Sequence, residues 1–309
     1  MSLIELVASE FVQIGTSKLM VSKIITPVNR SDWILCIILK DGLYLGKINT
    51  IQCKLIILII PLLRYFLDVA YKGTNYHGWQ VQQNAHSVQQ ELESALYKIF
   101  GKHIETMASG RTDTGVHAEQ QIVHLDLEKN FTDDHIYKLN RILPKDIVIK
   151  EFFPVKDNAH ARFDAISRGY EYRISKVKNP FLIDTAFFLD RTLDLNKMNE
   201  AATLLLSHQD FESFSKVHTE VNHFLCDITL ARWKEKGDMI LFEIESNRFL
   251  RGMVRTIVGS LLPVGLGKLS VEEFDQIILA RDRKRAGAAA PAEGLFFVRI
   301  KYPDNIYLE

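Results

Sequence analysis

Cysteine is scarce in this chain of 309 residues, which contains only Cys36, Cys53 and Cys226. Three scattered cysteines are too few for a disulfide framework and lack the spacing of a zinc site, so the sequence predicts a cytoplasmic protein without a metal. A net charge is lacking too, because 38 basic residues balance 38 acidic ones. This balance argues against binding to nucleic acid by bulk charge, although a local basic groove remains compatible with it.

Long hydrophobic runs are also missing. The longest, residues 55–63, has nine residues and contains Pro61, whereas about 20 are needed to cross a bilayer. It also begins too far along the chain for a secretory signal, so no membrane partner is expected. The composition, 47% apolar and 25% charged, is that of a globular protein and excludes disordered and collagen-like chains. The length is typical of roughly two domains.

Residues 1–62 differ in character from the rest of the chain. Their apolar runs, at 34–39 and 55–63, have neither a helical nor an alternating period, and a regular strand pattern begins only at Arg64. Two interpretations stay open. The segment is either translated upstream sequence that is not native to the working protein, or a genuine appendage of strand and helix.

Residues 63–162 alternate between strand and helix patterns, which predicts an N-terminal α+β domain. Alternating apolar residues indicate a strand over 64–72, and Ser87 with Gln90 three residues later is typical of a helix N-terminus. The pattern predicts a helix over 87–100, a strand over 122–127, a helix over 132–143 and a strand over 147–155.

Residues 163–309 repeat this style, which predicts a second, C-terminal α+β domain. Gly237-Asp238 between two apolar runs is a hairpin signal. The predicted elements are strands over 169–177, 227–234, 239–246 and 295–302, and helices over 195–206, 249–262 and 270–281. Each domain is expected to have a mainly antiparallel sheet with helices on one face.

The segment from Ser109 to His117 carries the densest chemistry. Two glycines, several hydroxyl groups, one cation and one carboxylate make a tight turn with free backbone donors. Two plain interpretations compete with a catalytic one. The segment could be an ordinary surface loop stabilised by Asp113, or Asp113 and His117 could bind a metal, for which no third ligand is in sight.

Residues 110–117, GRTDTGVH, match the GRTDAGVH signature of the bacterial tRNA pseudouridine synthase A family at seven of eight positions, with Thr114 in place of alanine. Four further segments resemble that family in the same order along the chain. They are YKGTNYHGWQ at 71–80, FDA and RGYEY within 163–172, NRFLRGMVRTIVG at 247–259 and APAEGL at 290–295. Residues 1–62 lie outside the resemblance.

The resemblance implies a pseudouridine synthase-like fold with the active site in a cleft between the two domains. It implies an isomerase that detaches uracil from its ribose in tRNA, turns it and rejoins it through C5. The family acts at nucleotides 38, 39 and 40 of the anticodon stem-loop, works as a homodimer and uses no cofactor.

The resemblance also implies the roles of individual residues. Asp113 is the expected nucleophile, and a carboxylate suits the reaction because it can both attack and leave. Arg255 matches the arginine that pairs with this carboxylate and keeps it charged among apolar groups. Tyr170 matches the tyrosine that stacks on the target uracil, Leu295 forms an apolar wall of the pocket, and Arg111 contacts phosphate or holds the displaced strand.

Basic residues near these segments are expected to bind the RNA backbone. The candidates are Arg162, Arg168, Arg248 and Arg251. For a third cluster, residues 281–285, a solvated face is an equally good interpretation.

Two other functions remain as alternatives. A catalytically silent tRNA-binding module would bind without forming product. A carboxylate-dependent nucleotide hydrolase would release free uracil. The loop around Asp113 contains no second acid, which argues against this function.

Overall fold

The computed structural model describes residues 62–128, 130–217 and 222–308 in full, together with the backbone of four strands nearer the N-terminus. These strands are β1 (Leu6–Ile14), β2 (Ser17–Asn29), β3 (Asp32–Leu39) and β4 (Ile57–Ile59), and they pair antiparallel in that order. They belong to the smaller of two compact units, residues 1–63 with 126–130. The side chains of Cys36 and Cys53 lie outside the described residues, and both interpretations of residues 1–62 stay open.

The larger unit, residues 64–125 and 131–309, is built on one nine-stranded sheet. Its strands are β5 (Leu63–Tyr71), β6 (Met107–Ala108), β7 (His117–Leu127), β8 (Ile147–Val155), β9 (Ser167–Ser175), β10 (Phe187–Phe188), β11 (Ile228–Lys236), β12 (Met239–Ser246) and β13 (Leu295–Lys301). Seven of them follow the order β11, β12, β9, β13, β7, β5 and β8, with β6 beside β7 and β10 beside β9. The C-terminal strand β13 therefore lies between strands from the two halves of the sequence.

Most of the pairings are antiparallel, as the sequence predicts. β9 pairs antiparallel with β12 and β13, and β5 pairs in the same way with β8. The parallel exceptions are β13 with β7 and β10 with β9. The predicted α+β class with a mainly antiparallel sheet is confirmed. The domain boundary between residues 162 and 163 and the cleft stay predictions, and the sheet joins strands from both sides of that boundary.

Five α-helices accompany the sheet in the described part of the chain. They are α1 (Val88–Phe100), α2 (Asp133–Ile142), α3 (Leu195–Leu204), α4 (Met253–Gly265) and α5 (Val271–Leu279). Ser87 caps α1 as predicted, and Ser270 caps α5 in the same way, each accepting from the backbone N–H three residues later. Among the described residues, no helix is long and apolar enough to span a membrane.

The start predicted for α4 is wrong. The helix begins at Met253 rather than at residue 249, because Gly252 precedes it with a left-handed backbone, φ 71°. Arg251 therefore lies in the turn before the helix. This placement matters for the site below.

The core of the C-terminal half lies between the sheet and helices α3 to α5. Tyr172 and Ile174 of β9 and Phe242 of β12 point into it, because alternate residues of a strand share a face. Ile257 of α4 and Phe274 of α5 complete this packing, and neither exposes any side-chain surface. The sheet face that buries these residues is the face that also carries Tyr170.

Candidate active site

Asp113 lies in the loop between β6 and β7, and backbone hydrogen bonds fix the shape of that loop. The N–H of Val116 donates to the carbonyl oxygen of Asp113 at 3.1 Å, which closes a tight turn. At the start of the loop, the Gln121 amide donates to the Gly110 carbonyl at 2.7 Å. The side chain of Asp113 keeps 33% of its surface exposed, so its carboxylate remains open to a ligand.

The segment of residues 71–79 supports this loop from one side. The Trp79 N–H donates to the carbonyl oxygen of Thr112 at 3.3 Å, and the Tyr71 hydroxyl is hydrogen-bonded to the Thr112 hydroxyl at 2.7 Å. Gly78 makes this approach possible, because it has φ +90° and a Cβ there would lie 2.3 Å from the Thr112 carbonyl oxygen. Two of the motifs that the sequence presents separately are therefore one packed unit.

His117 joins the loop to two other segments, a structural role that sequence reasoning missed. Its Nδ1 accepts the backbone N–H of Gly73 at 3.0 Å, and its Nε2 lies 3.2 Å from the Glu293 carbonyl oxygen, to which it donates. Only 1% of its surface is exposed, and this burial lowers its pKa to about 4. Since both ring nitrogens are engaged, His117 is not available as a metal ligand beside Asp113.

The cation nearest to the Asp113 carboxylate is Arg251. Its Nε lies 4.0 Å from Asp113 Oδ1, and its side chain is 60% exposed. Arg255, the expected partner, instead donates from Nε to the carbonyl oxygen of Ala290 at 2.7 Å, and Ala290 donates its N–H back to the Arg255 carbonyl. The structure thus brings Arg251 to the carboxylate and uses Arg255 to connect α4 with the 290–295 turn.

Tyr170 lies close enough to Asp113 for the carboxylate to act on its hydroxyl. Burial and, to a smaller degree, the negative charge of Asp113 raise the pKa of Tyr170. Tyr172, two residues further along β9 on the same face, is fully buried and donates its hydroxyl to the carbonyl of Pro291 at 2.9 Å, which makes it a core residue. The geometry therefore favours Tyr170 over Tyr172 as the residue facing a ligand.

Two phenylalanines that sequence reasoning missed surround Tyr170. The ring of Phe297 stacks on it at a centroid distance of 4.8 Å, and Phe249 meets it edge-on at 5.1 Å. Phe297 is the residue opposite Tyr170 across the β9–β13 pair, whereas Leu295 lies opposite Tyr172 and is 5% exposed. Leu295 thus belongs to the buried core next to Tyr172. The signal for Phe297 was its position two residues after Leu295, on the same face of the strand.

Arg168 points inward, which differs from its predicted contact with the RNA backbone. Its Nε and Nη2 atoms donate to the Ser109 carbonyl at 3.3 and 3.2 Å, and Nη1 donates to the Asn247 carbonyl at 2.6 Å. The carbonyls of Ala165 and Arg162 accept the remaining donors. All five N–H groups are used, so Arg168 ties the Asp113 loop to the segments on both sides of it.

Three other predicted basic residues lie together at the surface. Burial and the nearby charges of Arg111 and Arg248 lower the pKa of Arg162. Arg111 and Arg162 are exposed, and Arg248 is half-buried beside the ring of His223. We call Arg111, Arg162 and Arg248 the arginine cluster. A local concentration of positive charge thus exists on a chain without net charge.

Comparison with known proteins identifies the family of the chain. The profile of the tRNA pseudouridine synthase family matches residues 69–164 and 201–303. The chain is similar to tRNA pseudouridine synthase A of Porphyromonas gingivalis, with 47% identity over 251 residues that cover 79% of this chain and 99% of the relative. The corresponding proteins of Bacteroides fragilis and Francisella tularensis subsp. novicida are 47% and 42% identical over 79% and 78% of the chain and cover 98% and 94% of the relatives. The resemblance carried by the five sequence segments is confirmed, and the chain belongs to the tRNA pseudouridine synthase family.

Proposed function

We propose that this protein is an isomerase that converts uridine to pseudouridine in tRNA with Asp113 as nucleophile. The observation that carries the proposal is the partly exposed Asp113 carboxylate, held on a fixed loop within reach of both Arg251 and Tyr170. In the overall change, the glycosidic C1′–N1 bond breaks, a C1′–C5 bond forms, the C5 hydrogen leaves as a proton, and N1 takes up a proton. A carboxylate can form and release the covalent intermediate that such a rearrangement needs.

The surrounding residues are assigned by their contacts. Tyr170, itself supported by Phe249 and Phe297, offers the aromatic face on which a flipped uracil stacks. Arg251, whose side chain is largely exposed, places a positive charge opposite the Asp113 carboxylate. Arg255 holds the 290–295 turn in place, and Leu295 at the end of that turn lies in the buried core opposite Tyr172.

The target nucleotides, the oligomeric state and the cellular location are proposed from the sequence resemblance alone. The target nucleotides are 38, 39 and 40 of the anticodon arm, the enzyme is a homodimer, and it acts in the cytoplasm. Transcripts that carry uridine at only one of the three positions test the first of these statements, and sedimentation of the purified protein tests the second.

The test of the function follows tritium release from a tRNA transcript labelled at C5 of uridine. The wild-type protein is expected to release tritium, and Asp113→Asn is expected to bind the transcript without releasing it. Thr114→Ala, which changes the exposed neighbour to the residue of the family signature, is the matched control and should keep full activity. Tight binding without release by the wild type would favour the silent tRNA-binding module, and free uracil among the products would favour the hydrolase.

A further inference from the structure

Phe163 presents its aromatic ring to water on the protein surface, with 74% of the residue exposed. Scattered exposed apolar residues are normal and need no explanation. Phe163 differs from such residues in two respects, which are the rigidity of its backbone and the charge around its ring.

The turn that carries Phe163 is held by hydrogen bonds on every side. Nδ1 of His160 accepts the backbone N–H groups of Arg162 at 3.1 Å and Phe163 at 3.3 Å, and the Asp164 N–H donates to the His160 carbonyl at 3.1 Å. The Tyr302 hydroxyl donates to the Ala161 carbonyl at 2.5 Å. The backbone of the turn is therefore fixed, and the ring of His160 packs against the Phe163 ring at a centroid distance of 4.3 Å. Ordering the exposed part of the ring for a partner that stacks on it therefore costs little.

The same turn is connected to the catalytic loop. Arg168 donates to the carbonyl of Arg162 in the turn and to the carbonyl of Ser109 at the start of the Asp113 loop. One half-buried guanidinium thus sets the position of both the turn that carries Phe163 and the Asp113 loop. A group bound on the ring would be held at a defined place relative to the reaction site.

The charge around the ring is positive. The Arg162 guanidinium carbon lies 5.7 Å from the centre of the Phe163 ring, and Arg111 and Arg248 act electrostatically on Arg162. The nearest carboxylate in sequence, Asp164, accepts the backbone N–H of His160 at 2.7 Å. Among the described residues, no ion pair is formed by any member of the arginine cluster, so its charges are available to phosphate groups.

We propose that Phe163 is a stacking platform for an unpaired base of the tRNA outside the uracil pocket, with the arginine cluster on the flanking phosphates. An exposed aromatic face among cations is the combination by which proteins bind single-stranded nucleotides, since every base has a π face and every linkage has a charge. This base is a different one from the uracil on Tyr170. The proposal rests on tRNA being the substrate and on nothing finer about the target position.

The test compares Phe163→Ala, Phe163→Leu and Phe163→Tyr for tRNA affinity and for single-turnover tritium release. Phe163→Ala is expected to weaken tRNA binding about tenfold, equivalent to about 1.4 kcal/mol. Phe163→Tyr should bind like the wild type, because it keeps the aromatic face. The rate at saturating tRNA should change less than twofold in all three variants, since Phe163 does not touch the reacting atoms.

Phe181→Ala is the matched control, because Phe181 is 93% exposed and, among the described residues, no arginine guanidinium lies over its ring as Arg162 lies over that of Phe163. It should bind tRNA like the wild type. Affinity should depend on salt equally in Phe163→Ala and wild type, while Arg162→Gln should lower the slope of log affinity against log salt by about one. Wild-type affinity in Phe163→Ala or Phe163→Leu would overturn the proposal, as would a tenfold loss in Phe163→Tyr.

Discussion

Arg251 Nε lies 4.0 Å from Asp113 Oδ1, while Arg255, the arginine that the sequence motif assigns to this carboxylate, is hydrogen-bonded to the Ala290 carbonyl at 2.7 Å. An exposed pair at this distance contributes modestly, on the order of 0.2–1 kcal/mol, whereas a lost hydrogen bond to a buried backbone group costs more. The two arginines should therefore respond differently to substitution.

Arg251→Gln is expected to lower kcat/KM about two- to fivefold, because the variant loses one cation opposite the nucleophile. Its free energy of unfolding should stay within about 0.5 kcal/mol of the wild type. Arg255→Met is expected to lower the free energy of unfolding by about 1–3 kcal/mol, because the carbonyl of Ala290 loses its charged donor. Single-turnover kinetics and urea unfolding measure the two effects, and the reverse pattern would contradict the assignment.

Arg168→Lys is expected to destabilise the protein by about 2–4 kcal/mol although the charge is kept. An ammonium group has three donors on one atom and cannot reach the four carbonyls that the planar guanidinium joins. Denaturant unfolding gives the change, and Arg162→Lys on the exposed side of the same turn is the control, with an expected change below about 0.5 kcal/mol. Equal changes in the two variants would show that the inward contacts of Arg168 contribute nothing.

Gly78→Ala is expected to reduce both stability and activity, because the new Cβ would lie 2.3 Å from the Thr112 carbonyl oxygen, next to the proposed nucleophile Asp113. Gly101→Ala is the matched control, since Gly101 also has a positive φ, +70°, but has nothing within 4 Å of the added atom. The backbone strain alone should cost about 1 kcal/mol in both variants. Any further loss of unfolding free energy in Gly78→Ala, together with a fall in kcat, measures the contact between Gly78 and the Asp113 loop. Equal losses in the two variants would contradict this prediction.

Acid is expected to destabilise the protein through His117. Burial lowers the pKa of His117 to about 4, and the unfolded chain takes up this proton near the ordinary value of 6.5. Between these values the unfolded state binds more protons, so the free energy of unfolding falls as the pH is lowered from about 6.5 to about 4, by at most about 1.4 kcal/mol per pH unit.

Urea unfolding at several pH values between about 4 and 7 tests this dependence on His117→Asn, which removes the titrating group. The variant should show a shallower loss of stability in acid than the wild type. Burial also lowers the pKa of His160, so this histidine destabilises the protein in acid in the same direction. Measuring His160→Gln separates its contribution from that of His117. An unchanged slope in His117→Asn would contradict the prediction.

Local sequence signals determined the helices and the hairpin. Ser87 and Ser270 start their helices through hydrogen bonds to residues three positions away, and Gly237-Asp238 closes the β11–β12 hairpin, because each of these contacts lies within a few residues. The segment 110–117 predicted the candidate catalytic loop and its aspartate through its resemblance to a known family. The missed early turn at Gly252 shows the limit of such signals, since the apolar period of α4 continues through residues that are not helical.

The sequence by itself determined the family and predicted which segments carry the chemistry, while only the tertiary structure decided which side chains meet. Phe297 lies on Tyr170 because of the register between two strands that are distant in sequence. Arg168 turns inward because five donors find carbonyls that come from three separate segments. Arginine side chains are long and flexible, so their charge is readable from the sequence, but their partners depend on the distances that folding sets.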